Sequence, residues 1–270
     1  MKNTVLVFII ALILVLGTAA YATPKVKFGG NLDRPTSTKE ADEKESPDAK
    51  DEPPVPEEPE DEEEEEPPEF MDEELEGDSF ILVLDKSGSM VWTFPSCSFP
   101  VYDRNGNNVP SPDRWQATQS ETAKCVNAMT EDDTFDIITY ATEVFICFSA
   151  LKVANNGNKA TAIGWVYTQN AVGATNSYDA LKAAYLNYGQ FDTCLFMSDG
   201  EPNTALSIGC PSMGCAGWIG ARIISDMRGW MSRQIALYGG HKLFVIQVSG
   251  SPLSFMVNLG ALPNAEFSLK

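Results

Sequence analysis

A single histidine, His241, serves the whole chain of 270 residues, and its scarcity excludes much. Zinc sites built from several imidazoles are ruled out, and none of the six cysteines forms a C-x2-C pair. A serine hydrolase needs a base beside its nucleophile. His241 opens a predicted strand, whereas Ser87 and Ser89 follow the end of one, so a triad would have to bridge opposite edges of a sheet. An aspartyl phosphatase centred on Asp85 wants a second acid two residues later; Ser87 stands there instead. No glycine-rich phosphate-cradling loop follows any predicted strand. Positive charge is scarce too, with 19 basic against 38 acidic residues. The imbalance is local: residues 40–78 hold 22 acidic and 2 basic side chains, which leaves the remainder within one charge of neutral. A neutral globular part shows no nucleic-acid footprint. Nor does any apolar run near the C-terminus offer a second membrane anchor.

The first residues read as an export signal. Lys2 gives a positive start, Val5 to Leu16 is unbroken apolar sequence, and Ala20-Tyr21-Ala22 fits cleavage before Thr23. The alternative is an uncleaved signal anchor, since Thr4 to Ala22 approaches the roughly 20 residues that span a bilayer. Either reading places the protein outside the cytosol: secreted, periplasmic or on the cell surface. No cysteine near the cut suggests a lipoprotein. Export permits disulfides, and Cys210 and Cys215 are close enough in sequence for a local bridge. Cys125, Cys147 and Cys194 lie in apolar periodic stretches and read as small buried hydrophobes, while Cys97 is free or bridged.

Residues 23–78 read as an acidic Pro/Glu-rich linker. Such a composition buries too little apolar surface to offset its chain entropy, so disorder is expected. Repulsion and the prolines at 53, 54, 56, 59, 67 and 68 favour extension. Asp61 to Glu66 reads as a solvated spacer and not as a calcium tract.

From residue 79 to 270 the pattern alternates. Phe80 to Leu84 is a short apolar run suited to a strand buried on both faces. Trp115 to Met129 predicts a helix capped by Asp113. Strands follow at Thr134–Tyr140 and, antiparallel after a tight turn, at Glu143–Phe148. Helices at Lys159–Ala171 and Ser177–Asn187, a strand at Thr193–Met197, a long helix at Trp218–Tyr238, a strand at Leu243–Val248, a short helix at Pro252–Leu259 and a last edge strand at Glu266–Leu269 complete the series. This order implies an α/β fold: a doubly wound, mainly parallel, Rossmann-like sheet with one antiparallel edge strand and helices on both faces.

Asp85-Lys86-Ser87-Gly88-Ser89 leaves the carboxyl end of the first strand, and Ser198-Asp199-Gly200 leaves that of the fourth. If those strands are neighbours, chain order reverses between them and both loops face the ligand-binding crevice. Gly173-Ala174-Thr175-Asn176 enters the helix at Ser177 near the same place. Together they offer two carboxylates and three hydroxyls. These are hard oxygen donors suited to Mg²⁺, with Mn²⁺ or Ca²⁺ as alternatives, and not to zinc or copper. If the carboxylates act through water, the ion stays electrophilic and draws an Asp or Glu carboxylate from a partner protein.

These residues resemble the von Willebrand factor A-type (VWA) domain and its metal-ion-dependent adhesion site. That family carries D-x-S-x-S, then a distant Thr, then a distant Asp, matched here by Asp85, Ser87, Ser89, Thr175 and Asp199. The resemblance implies cation-dependent protein binding in adhesion or assembly. In it Ser87 and Ser89 ligate directly, Thr175 directly or through water, and Asp85 and Asp199 through water. Two other functions stand beside this one: a surface module whose metal only stabilises the fold, and a metal-dependent hydrolase. The loop from Val91 to Pro112, with Trp92, Phe94, Cys97, Phe99 and Tyr102, lies on the same face, as a recognition rim or as packing on the domain.

Overall fold

The computed structural model describes residues 67–210, 216–248 and 250–270. The chain divides into two units, Met1–Glu60 and Asp61–Lys270, and every described residue belongs to the second. The expected export signal, the linker up to residue 66 and Cys215 lie outside the described residues.

Nine strands and five α-helices are described: β1 (Glu69–Phe70), β2 (Glu73–Glu74), β3 (Ser79–Asp85), α1 (Arg114–Ala128), β4 (Thr134–Tyr140), β5 (Val144–Ile146), β6 (Lys152–Val153), α2 (Asn156–Thr168), α3 (Ser177–Asn187), β7 (Thr193–Ser198), α4 (Ala216–Tyr238), β8 (Lys242–Gln247), α5 (Ser254–Gly260) and β9 (Ala265–Leu269). The main sheet runs β5-β4-β3-β7-β8-β9. Strands β4, β3, β7, β8 and β9 are parallel to their neighbours. Both β5 and β6 pair antiparallel with β4 and share its outer edge.

The central strand shows why this sequence needs two helical layers. Phe80, Leu82 and Leu84 face one apolar cluster, with Trp115 and Val126 of α1 and Ala162 and Val166 of α2. Ile81 and Val83 face the other, with Leu181 and Tyr185 of α3, Ile223 and Met227 of α4 and Phe255 of α5. Successive side chains of a strand point to opposite faces, so a continuous apolar run is satisfied only when both faces are covered. Asp113 caps α1 through a reciprocal pair with Gln116: its carboxylate accepts from Gln116 N, and its own N–H donates to the Gln116 side chain.

Most element boundaries shift by a few residues, and two differences have a clear physical cause. Helix α2 begins at Asn156 and not at Lys159, because Asn155 accepts from Asn158 N at 3.0 Å and caps an Asn-Gly-Asn start that propensity alone disfavours. The larger correction concerns the linker, which was expected to run to residue 78. Residues 69–78 belong to the domain. Strands β1 and β2 form a hairpin whose Met71 and Asp72 have φ of 49° and 61°, a tight-turn conformation. Phe70, Met71 and Leu75 are fully buried against the α1 cluster, and Met71 N donates to Glu121 Oε2 at 3.0 Å. Three apolar side chains are enough to anchor this acidic stretch.

Phe70→Ala is therefore expected to cost about 3 kcal/mol of unfolding free energy, as for other buried Phe truncations. The half-buried Glu69, paired with Lys124, should cost no more than about 1 kcal/mol when changed to Ala. Urea unfolding of both variants checks this; a Phe70→Ala loss below about 1 kcal/mol would separate the hairpin from the cooperative fold.

Candidate functional site

Order reverses across β3: the chain leaves it for β4 on one side and returns to β7 on the other. The carboxyl ends of β3 and β7 therefore flank the crevice where open α/β sheets bind ligands. Strand β3 ends at Asp85, and the chain turns at once. Lys86 N donates to Tyr140 O at 2.7 Å, and Ser87 N returns to Asp85 Oδ1 at 2.6 Å. The second oxygen of Asp85 accepts from Ser198 Oγ, at the end of β7, at 2.6 Å. One carboxylate thus ties both strands together.

A single 3₁₀ turn, Gly88–Val91, then directs two hydroxyls toward the same point. Ser87 Oγ and Ser89 Oγ are 3.2 Å apart, and Ser89 Oγ donates to Asp199 Oδ1 at 2.8 Å. Asp85, Ser87, Ser89 and Asp199 accordingly form one hydrogen-bonded series. Thr175 is brought alongside by its neighbours. Gly88 N donates to Gly173 O at 2.9 Å and Val172 N to Lys86 O at 2.8 Å. On the other side, Thr175 N donates to Asn203 Oδ1 at 2.8 Å, and Asn203 N returns to Thr175 O at 3.0 Å. The Thr175 backbone is thereby fixed between the two loops, and its hydroxyl accepts from Asn203 Nδ2 at 3.5 Å. Close approach needs glycine here: Gly173 has φ of 103°, and a Cβ on it would lie 2.8 Å from Thr142 Oγ1.

Asp85, Ser87, Thr175 and Asp199 are buried, and Ser89 is half-buried. Burial, and then the negative charge of Asp199, push the Asp85 carboxyl up to about 7, while hydrogen bonds from Ser198 and Ser87 oppose the shift. Two acids in one buried crevice repel each other, so a positive charge beside them is favourable. One is present: Arg114 Nη1 pairs with Asp199 Oδ2 and reaches Ser89 O at 3.4 Å. Arg114, Ser198 and Asn203 went unrecognised in the sequence. Ser198 and Asn203 flank the Asp199 loop and were within reach of inspection; nothing in the sequence around Arg114 signals its role.

The donor chemistry fits a hard divalent ion, since it combines two carboxylates with three hydroxyls and no sulfur or imidazole. Among the described residues no group of three or more His, Cys, Asp or Glu side chains stands together as a metal cluster. The hydroxyls would have to supply much of any ion's shell.

Part of the Val91–Pro112 loop packs on the domain and part is exposed. Phe94 is buried, and Cys97 and Phe99 pack against the core. Trp92 is 63% exposed, next to the site, and the Arg114 guanidinium carbon lies 5.4 Å from its ring centre. Exposed Val172 and Phe145 continue the rim, with Lys86 Nζ 4.5 Å from the Phe145 ring centre. Cys97 is a free thiol, as are Cys125, Cys147 and Cys194, whereas Cys210 is disulfide-bonded.

No family model matches the sequence, and no curated protein matches it. Solved structures do align. The PilB minor pilin from Streptococcus sanguinis shares 15% identity over 73% of this chain and 58% of its own, with a TM-score of 0.48. BatB from Bacteroides thetaiotaomicron, described as a conserved hypothetical protein, shares 11% identity over 72% of this chain and 90% of its own, at 0.46. A von Willebrand factor type A protein from Catenulispora acidiphila shares 15% over 63% of this chain and 33% of its own, at 0.42. The chain thus spans little more than half of the pilin and a third of the last protein. Likenesses this remote leave the assignment of fold class to the sheet order and helical layers described above.

His241 lies where the sequence placed it, just before β8 and at the edge opposite the crevice. Its Nε2 pairs with Tyr185 OH at 2.5 Å, and its Nδ1 is buried without a partner. Burial pushes His241 down from 6.5 to about 4, against the opposing charge of Asp192. The folded state thus prefers the neutral ring, and stability is lost as pH falls from about 6.5 toward 4. The stability difference between the wild type and His241→Phe should shrink by about 2 kcal/mol between about pH 8 and pH 5. Urea unfolding at both values measures it; a constant difference would contradict a buried neutral imidazole.

Proposed function

We propose that Asp85, Ser87, Ser89, Thr175 and Asp199 hold one divalent cation, Mg²⁺ in preference to Mn²⁺ or Ca²⁺, and that the protein uses it to bind an Asp or Glu carboxylate of a partner protein. The observation that carries this reading is the hydrogen-bonded series from Ser198 through Asp85, Ser87 and Ser89 to Asp199 at the switch point, with Thr175 strapped beside it. Hydroxyl donors leave the ion's charge largely unneutralised, so an anionic ligand from outside completes its shell. An exposed apolar rim around a charged centre suits a protein partner better than a small polar substrate.

The hydrolase reading finds less support. Ser87 and Ser89 have no imidazole near them, and the sole histidine is sequestered at the far edge. The disulfide at Cys210 fits an oxidising compartment, and with the N-terminal sequence it supports an exported, adhesive or assembly-related protein.

Calorimetric titration with MgCl₂ and MnCl₂ tests the site. The wild type should bind one ion, and Thr175→Ala should weaken binding at least about tenfold, a loss of about 1.4 kcal/mol. Chelation should leave the circular dichroism spectrum intact. Unfolding on chelation would favour a purely structural metal, and unchanged affinity in Thr175→Ala would remove the threonine from the shell.

A further inference from the structure

We propose that Arg114 is the built-in counter-ion of this site and sets its cation affinity by competing with the incoming metal for Asp199. The inference rests on the metal-binding reading above and goes beyond it, because Arg114 belongs to none of the motif positions.

Three features single it out. First, its position is fixed. Arg114 is the first residue of α1, directly after the capping residue Asp113, and its N–H donates to Trp92 O at 3.1 Å. Phe94 N likewise donates to Pro112 O at 2.9 Å, so the two legs of the long loop are pinned and Trp92 is held against Arg114. Second, its charge is engaged. Asp199 Oδ1 accepts from Ser89, and Oδ2 accepts from Arg114. Among the described residues Arg114 is the one basic side chain paired with a site carboxylate, that of Asp199. Third, the guanidinium is incompletely satisfied: its Nε is buried with no hydrogen-bond partner.

A dication brought to the same carboxylates meets a positive group already seated there. The two cations repel, and both draw on Asp199. Metal loading therefore loosens the Arg114–Asp199 pair. The neighbouring Trp92 ring, exposed and within cation–π distance, gives the displaced guanidinium a surface to remain on. On this view Arg114 stabilises the metal-free crevice, lowers its affinity for the ion, and couples loading to a movement at the rim where a partner would dock. Arginine is suited to the role because its planar guanidinium pairs with a carboxylate and stacks on an aromatic face.

The test uses the full chain and Mg²⁺ alone as probe. Calorimetry should show Arg114→Gln binding Mg²⁺ at least about tenfold more tightly than wild type. Wild-type tryptophan emission should change on Mg²⁺ addition, and Trp92→Phe should abolish most of that change while still binding the ion. Circular dichroism verifies folding, and if Arg114→Gln fails to fold, Arg114→Met and the Trp92 signal carry the test. Equal or weaker binding in the neutral variants, or an emission change that survives in Trp92→Phe, would overturn the role of Arg114 and leave the metal site standing. Binding absent from both the wild type and the variants would overturn the metal reading and this inference with it.

Discussion

The site depends on one buried carboxylate. Asp85 terminates the central strand and spends one oxygen on the turn that follows it and the other on Ser198 at the end of the adjacent strand. That double attachment reinforces the alignment of the Ser87–Ser89 turn with the Asp199 loop, which the pairing of the two strands and the Ser89–Asp199 hydrogen bond also hold. Asp85 is also the group the fold treats worst. Burial and a second acid nearby both disfavour its charged form.

The arrangement also explains why the ends of the strands, and not a pocket wall, form the site. Four of the five motif residues come from the two loops that leave β3 and β7, and their separation is set by the parallel pairing of those strands, Leu84 opposite Met197. The third loop needs no strand of its own. It is stitched to the first by backbone groups of Gly88 and Lys86, and to the second by the backbone N–H and side-chain amide oxygen of Asn203. Gly173 alone is demanded by its chemistry, because no other residue fits its conformation beside Thr142.

Much of this was legible in the residues. The apolar run at Phe80, the capping Asp113 and the alternation of strand and helix specify local structure directly and imply helices on both faces of a mainly parallel sheet, whereas the reversal across β3 is fixed only by the pairing of β3 with β7. The site motif was legible because its spacing places oxygen donors at three loops of one sheet edge. Other features were not. Arg114 is anonymous in sequence: its importance comes from a side chain crossing to a residue 85 positions away, which no periodicity records. The hairpin at Glu69–Glu74 was masked by its own acidity, since average composition outweighed the three apolar residues that decide where it lies. The start of α2 was missed because a cap and not helix propensity sets it.

The central strand has a mechanical meaning as well. The hairpin that opens the domain leads into the amino end of β3, and the motif turn leaves its carboxyl end. A load applied between the hairpin and the motif turn would run along the length of β3. That strand is bonded to parallel neighbours on both sides. Such a load is borne in shear by two ladders at once, and they must fail together and not one rung at a time.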